Sequence, residues 1–341
     1  MSEAGKGQHQ RLAPKRLAGA VLGGMIGITL LSLTSNLGGN IVLELASHFK
    51  RQYLLYGLLS LGLLLLMRRR NLILVGLFCA AILLTEIVPW YLYTPGIPGE
   101  TAEKVRVLSS NISPRNRDFS KVLALVRQEK PDVAVFMEVT NEWVNQLQSL
   151  DDILPYSSVR MLPARVGMMV LSRIPLEQPA IAFFGTDQPP IQLKKASILA
   201  TLMIQEQPVH LIAAHLATPV HPTTFEARNK QLNRMSTYVQ QLKLPVVLVG
   251  DLNTTQWSPY YRNFVHETGL RNTREGRGIL PTWPIRIKFW ELPSVLSWLV
   301  SIPIDHCLIS PNITVADIRT GSDVGSDHLP LIIDLVLPAK P

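Results

Sequence analysis

The sequence predicts an α+β protein: a two-sheet β-sandwich core flanked by helices, preceded by a three-helix transmembrane region. Three observations predict it. The longest apolar runs of the 341-residue chain are concentrated in its first hundred residues. Beyond a short stretch rich in Pro and Gly, the chain changes to brief β-type runs bounded by Pro, Gly or charge. Only a few amphipathic helices separate these runs, and many strands with few helices favour two packed sheets over a doubly wound one.

The N-terminal region comes first, at residues 1–94. Residues 17–35 and 72–93 are long enough to cross a bilayer, and 53–67 is shorter but carries no charge. Lys6, Arg11, Lys15 and Arg16 precede the first run, and Arg68, Arg69 and Arg70 follow the second, against Lys50 and Arg51 between them. Basic residues stay in the cytoplasm, so the pattern predicts an inside N-terminus, three crossings and everything after Tyr93 outside the cytoplasm. Trp90, Tyr91 and Tyr93 suit an interfacial aromatic belt, which puts Glu86 near that outer end. A signal peptide is the competing reading of residues 1–35; the length of the apolar stretch and the lack of a small-x-small cleavage site stand against it.

The formal net charge of +8 does not by itself imply a nucleic-acid binder. Residues 1–100 carry 9 Lys/Arg against 4 Asp/Glu, whereas the rest carries 24 against 21. Most of the excess therefore belongs to membrane topology, and any nucleic-acid contact would need a local patch. The two cysteines, Cys79 in an apolar span and Cys307 in an apolar run, are not expected to pair. An exported domain without a disulfide relies on its core, and residues 104–341 are enough to supply one.

Residues 95–103 read as a linker, with Pro95, Gly96, Pro98 and Gly99. Residues 104–111 then read as a strand, 118–130 as an amphipathic helix with Asp118 at its N-cap, and 132–139 as a second strand. A helix follows at 140–150. From Tyr156 to Ala217 the pattern is mostly β, with runs at 166–175, 196–204 and 209–217. Residues 223–242 form a polar-faced helix before the strand at 246–250. The chain closes with strands at 304–310, 313–321 and 329–337.

These apolar runs end in the same kind of chemistry. Asn111, Glu138, His215, Asp251 with Asn253, Asp305, and the Ser326-Asp327-His328 triplet all sit at or beside strand ends. Alternation gives Asp251 and Asn253 one facing direction. Each residue alone has an ordinary reading as a turn former, a cap or a core histidine. Six such strand ends together supply oxygen ligands for a hard divalent cation, a base for water and donors for an oxyanion.

In order and spacing, the motifs N-I-S (111–113), M-E-V (137–139), A-H-L (214–216), G-D-L-N (250–253), I-D-H (304–306) and G-S-D-H-L-P (325–330) resemble the endonuclease/exonuclease/phosphatase superfamily and its deoxyribonuclease-I-like fold. The resemblance covers residues 104–337. The apolar N-terminal region, S-P-Y-Y (258–261) and P-T-W-P (281–284) are similar to a membrane-anchored bacterial branch, which implies a bacterial inner membrane and a catalytic domain facing the periplasm or cell exterior. The resemblance implies that Glu138 ligates Mg²⁺ or Mn²⁺ with help from Asn111, and that Asp251 deprotonates an attacking water beside Asn253. It also implies that His328 donates to the phosphoryl group, that Asp305 keeps it protonated, and that Asp327 is a further carboxylate near the metal or water. His215 fits a phosphate contact or leaving-group acid. Ser113 stands where several members carry an acid or amide, which points to one principal metal site. His306 should face away from its neighbour Asp305 and be structural.

The implied activity is hydrolysis of a phosphodiester or phosphomonoester by in-line attack of activated water, on nucleic acid or on a phospholipid head group. A catalytically inactive binding or scaffolding module is the alternative, and the completeness of the residue set argues against it. Two further stretches bear on the substrate. Arg271, Arg274, Arg277, Arg286 and Lys288 read either as a basic loop bordering the site or as solvated surface. Residues 289–303, with Trp290, Leu292, Val295, Leu296, Trp298 and Leu299, read as core or as a membrane-facing helix.

Overall fold

The computed structural model describes residues 4–92, 104–162, 166–185, 195–285 and 297–338, with side chains from Lys15 onward. The expected linker at 95–103 lies outside the described residues. The chain divides into a helical unit, Met1–Pro89 with Trp257–Pro259, and a second unit, Trp90–Gln256 with Tyr260–Pro341.

The helical unit contains α1 (Ala4–Ser35), α2 (Ile41–Ser47), α3 (Lys50–Leu66) and α4 (Arg70–Thr85). Each expected span coincides with a helix, but among the described residues only Lys15–Ser35, at 21 residues, is long and apolar enough to cross a membrane. At 17 and 16 residues, α3 and α4 rise only about 25 Å, short of a hydrocarbon core of about 30 Å. The third run breaks because α4 stops at Thr85, capped by Glu86, and the chain is helical again only in the four-residue α5 (Pro89–Leu92). Pro89 has no N–H with which to continue a helix. The short α2 was not expected; Asn40 starts it by accepting a hydrogen bond from the Leu43 N–H at 3.0 Å.

The second unit is built from two six-stranded sheets. The first contains β1 (Val105–Asn111), β2 (Val133–Val139), β3 (Tyr156–Met161), β4 (Gly167–Ser172), β11 (Thr314–Thr320) and β12 (Leu331–Val336), in the order β11-β12-β1-β2-β4-β3. The second contains β5 (Leu176–Ala182), β6 (Ser197–Ile204), β7 (Gln207–His215), β8 (Val246–Asp251), β9 (Arg271–Asn272) and β10 (Asp305–Ile309), in the order β5-β6-β7-β8-β10-β9. The inward residues follow a period of two: Val107, Val135, Val170 and Ile333 meet Leu211, Val249 and Ile309 in the central core.

The alternate residues face outward and are covered by helices. Leu108 and Phe136 pack with α6 (Phe119–Glu129) and α7 (Asn141–Leu147) through Val126 and Trp143. Leu248 and Leu308 pack with α8 (Pro222–Gln240) and α9 (Pro259–Thr268) through Met235 and Phe264. The α9 helix is an addition to the sequence reading. Asp118 does occupy the N-cap of α6, but its side chain makes no cap bond; it accepts from Lys121 Nζ at 2.7 Å instead. Both cysteines are free and buried, as expected.

Each sheet holds one parallel pair, β1 with β2 and β7 with β8, because α6 and α8 form crossovers that return the chain to the same edge. This brings the C-terminal ends of paired strands side by side. The β7/β8 pairing is close: Gly250 has φ +142° and sits opposite Ala214, and a Cβ on it would lie 1.9 Å from the Ala214 carbonyl oxygen. Gly250→Ala should therefore lower stability by roughly 2–4 kcal/mol. Thermal unfolding of the full chain in detergent, followed by circular dichroism, would show it; an unchanged midpoint would mean that the strands tolerate a side chain here.

Candidate active site

The strand-end residues converge, and alternation accounts for most of them. Asn111, His215, Asp251 and Asp305 have the same parity as the central core residues of their strands, and each is at most 4 % exposed. Asn111 Nδ2 donates to Asp251 Oδ2 at 3.1 Å. Asp251 Oδ1 accepts from the Asn253 N–H at 2.9 Å, and the Asn253 amide donates to the Leu216 carbonyl at 3.0 Å. His328 Nδ1 lies 2.9 Å from Asp305 Oδ2, and its Nε2 lies 4.0 Å from Asp251 Oδ2. His215 Nε2 is 3.7 Å from Asp251 Oδ2 and 3.8 Å from Glu138 Oε1.

Glu138 reaches this group against its own parity. Its neighbours Phe136 and Val139 face the outer helices, and plain alternation would send Glu138 with Phe136. A β-bulge between Met137 and Val139 in the β2/β4 pairing, with φ +61° at Glu138, turns the carboxylate inward. The S-D-H loop is fixed by Ser326, whose hydroxyl donates to the Asn111 carbonyl at 2.7 Å and accepts from the His328 N–H at 3.1 Å. Asp327 stands apart from Glu138 and Asn111 in its bonding: its Oδ2 accepts from Trp283 Nε1 at 3.3 Å.

The electrostatics separate the roles. Burial pushes Asp251 up to about 7, with the Asp305 charge adding to the rise and His328 opposing it. Burial alone would lower His328, but the charge and hydrogen bond of Asp305, then Asp251 and Asp327, outweigh it and raise the imidazole to about 9. Burial would raise Asp305 too, and His328 overcomes this and holds it low. His215 falls well below its ordinary value through burial, then through Lys195 and His328. One histidine is thus kept charged and the other neutral.

Lys195 is the residue the sequence reading missed. Its Nζ lies 3.1 Å from His215 Nε2. Burial lowers its pKa, while Glu138 and Asp251 favour its charge. The available signal was the Lys-Lys pair opening the 196–204 run, because the Ile198–Ala213 pairing of β6 with β7 carries Lys195 to the His215 end of the sheet.

Oxygen donors fit a hard cation here. Glu138 and Asp251 bring carboxylates and Asn111 a carboxamide, and none is paired with an arginine among the described residues. Asp251, Asp305 and His328 also present ligand atoms within 4.8 Å of one another. In that trio the short His328–Asp305 bond already occupies both partners, which suits proton handling better than cation binding.

His306 points to the other face of β10, as expected. Its Nε2 lies 2.8 Å from the Thr254 carbonyl, and its ring is 4.8 Å from that of Tyr261. The arginine stretch is not a solvated patch: Arg274 is fully buried, its Nη1 3.5 Å from His306 Nδ1 and its Nη2 donating to the Leu280 carbonyl at 3.2 Å. Arg277 donates to the Val315 carbonyl at 2.5 Å, and Arg271 lies in β9. Arg286, Lys288, Trp290, Leu292, Val295 and Leu296 lie outside the described residues. Trp298 is 53 % exposed.

The sequence profile of the endonuclease/exonuclease/phosphatase family matches residues 105–328. Among solved structures, the endonuclease/exonuclease/phosphatase from Beutenbergia cavernae DSM 12333 is 21 % identical, with 69 % of this chain and 72 % of that chain covered and a TM-score of 0.54. D. rerio TDP2 complexed with single strand DNA product is 16 % identical over 68 % of this chain and 99 % of that one, with a TM-score of 0.55. The human Nocturnin catalytic domain with bound sulfate anion is 15 % identical over 69 % and 95 %, with a TM-score of 0.54. At these identities the likenesses establish the fold. A comparison with curated proteins found no significant match.

The His328–Asp305 pair makes stability depend on pH. His328 is raised from 6.5 to about 9, so its contribution is full below about 6.5 and lost as pH rises through about 9. Asp305 is lowered, so its share is present above the ordinary carboxylate range and lost in acid. The difference in unfolding midpoint between the unmodified chain and His328→Gln should be larger at pH 6 than at pH 10. Equal differences at both would mean that the pair is not charged in the folded state.

Proposed function

The chain belongs to the endonuclease/exonuclease/phosphatase family, and on that footing we propose that it is a divalent-metal-dependent phosphodiesterase that hydrolyses its substrate by in-line attack of water. The observation that carries this reading is the convergence of a near-neutral buried carboxylate, Asp251, with a histidine kept charged, His328. A base with a pKa near the working pH takes a proton from water efficiently, and a charged imidazole stabilises the oxyanion that forms.

In this reading Asp251 accepts the proton of the attacking water, and Asn253, fixed by the Leu216 carbonyl, holds that water or a phosphoryl oxygen. His328 donates from Nε2 to the phosphoryl group while Nδ1 stays bonded to Asp305. His215, held neutral, serves as a contact to phosphate rather than as a proton reservoir, and Lys195 beside it offers a positive charge to a non-bridging oxygen. Glu138 and Asn111 would hold Mg²⁺ or Mn²⁺, with Asp327 as a further carboxylate on the His328 side; the ion supplies neutralisation of phosphoryl charge when bound. Ser113, whose N–H donates to Asn111 Oδ1 at 3.2 Å, orients the amide and adds no carboxylate, which supports one principal metal.

For substrate, D. rerio TDP2 complexed with single strand DNA product supports a nucleic-acid diester ahead of a phospholipid head group. We place the protein in a bacterial inner membrane. The Lys15–Ser35 helix and the exposed Leu58, Leu63, Leu74 and Phe78 of α3 and α4 support embedding, and the distribution of basic residues supports a catalytic unit outside the cytoplasm. A C-terminal fusion to a phosphatase that works only in the periplasm should be active; activity confined to a cytoplasmic reporter would reverse this placement.

The decisive measurement is hydrolysis of bis-p-nitrophenyl phosphate, single-stranded DNA and phospholipid vesicles by the full chain, with Mg²⁺, with Mn²⁺ and with chelator. Turnover should require the metal, and Asp251→Ala and His328→Ala should each reduce it by roughly a hundredfold or more. Near-normal turnover in both folded variants would reject the site. Binding without turnover in the unmodified chain would favour a binding module.

A further inference from the structure

Two residues that the proposed mechanism does not use stand in line with those it does. In the first sheet, Arg160 of β3 pairs with Met168, Met168 with Met137, and Met137 with Asn111. In the second, the Ala182–Ser197 and Ile198–Ala213 pairs, continued to the strand ends, put Phe183, Ala196 and His215 in one row. His215 pairs with Asp251, and Asp251 with Asp305. At about 4.8 Å per strand, Phe183 stands roughly 10 Å from His215 and Arg160 roughly 14 Å from Asn111, backbone to backbone.

Both side chains face the space between the sheets. Ladder partners share a face, and Met168 and Met137, which continue the row of Arg160, belong to the central core. Ile181 packs against that core while Phe184 joins the outer cluster, so alternation sends Phe183 inward with Ile181. The core stops short of this edge: Phe183 is 42 % exposed, and Arg160 is exposed as well. The Arg160 guanidinium lies over the Phe183 ring, 5.5 Å from its centroid. This contact joins the ends of β3 and β5, the edge strands of the two sheets. Among the described residues no carboxylate pairs with Arg160.

A lone exposed aromatic needs no explanation. An exposed ring beneath a cation that lacks an acid, on the rows that carry Asn111, His215 and Asp251, is suited to a single nucleic-acid strand: rings take bases by their π-faces, and cations follow the backbone. A duplex keeps its bases stacked on one another and must be opened before it can offer one. A cationic lipid head group would meet a second positive charge at this ring, whereas a base and its phosphate would meet complementary partners.

We propose that Phe183 and Arg160 form a nucleic-acid subsite beside the catalytic residues, Phe183 stacking a base that flanks the scissile phosphate and Arg160 contacting the strand's backbone, so that the substrate is a single strand. This deepens the proposed function and rests on it.

The test measures turnover by the full chain in detergent, with Mg²⁺, on a single-stranded oligonucleotide, an abasic strand of equal length, the matching duplex, phospholipid vesicles and bis-p-nitrophenyl phosphate. The last is too short to reach from the catalytic residues to Phe183. Phe183→Ala should lower kcat/KM on the oligonucleotide by about tenfold or more while leaving the abasic strand and bis-p-nitrophenyl phosphate within about twofold. Phe183→Trp should retain the rate. Arg160→Gln should slow both single strands, with a loss that shrinks as salt is raised. An oligonucleotide that is not cut, or is cut equally well by Phe183→Ala, would overturn the subsite. An equal loss on bis-p-nitrophenyl phosphate would do so too, because the ring would then serve the fold or the catalytic centre itself. A loss confined to vesicles would mark a lipid surface instead, and a duplex cut faster than the single strand would contradict the stacking. Each of these leaves the proposed function standing while turnover of bis-p-nitrophenyl phosphate depends on Asp251. If the unmodified chain turns over none of the substrates, both readings fail.

Discussion

Two carboxylates face each other across a strand pairing, and the site is organised around that fact. Asp251 and Asp305 are register partners in the antiparallel β8/β10 ladder, each 1 % exposed. Two like charges so close and so dry cannot both be held without a cation. His328 meets the need unequally, bonded to Asp305 and farther from Asp251. The asymmetry holds Asp305 low while burial leaves Asp251 at about 7, so a single histidine gives two chemically identical groups different proton affinities. One oxygen of Asp305, Oδ1, has no hydrogen-bond partner among the described residues, an uncommon cost for a buried acid and one tolerated more often at functional sites than elsewhere.

The backbone carries matching strain. Glu138 and Asn253 have positive φ, and Gly250 occupies a conformation that leaves no room for a Cβ. All three sit at the ends of strands whose interiors are regular. Strand interiors are held by ladder bonds and core packing, so deviation concentrates where those constraints stop. Parallel pairing places these ends together: crossover helices return the chain to one edge in both sheets, and the two edges supply acids, amides and histidines to the same space.

The family match covers 105–328 and so stops short of the helical unit. The structural neighbours likewise cover about two thirds of this chain. The fold is therefore what this protein has in common with its relatives, whereas the buried Lys50 and Glu44 lie in the part not covered by the match.

Much of the site was legible in the sequence because strand alternation is a local rule. Val247, Val249 and Asp251 share a face whatever surrounds them, as do Cys307 and Asp305, and His306 must point away from both. The apolar runs also marked the two-sheet core and its helical covering. What the sequence could not contain was any consequence of pairing between distant segments. Glu138 faces inward only because β4 pairs with β2 one residue short, and Lys195 reaches His215 only because β6 and β7 align there. Arg274 read either as part of a basic loop bordering the site or as a surface charge, and only the fold around β10 buries it. The length of the third apolar run suggested a span, but helix geometry ended it at Thr85. The sequence by itself determined which residues share a face and which strands end in polar groups, since both follow from neighbours along the chain. The tertiary structure alone decided which of those groups touch, because their charge states and aim depend on burial and on partners contributed by distant segments.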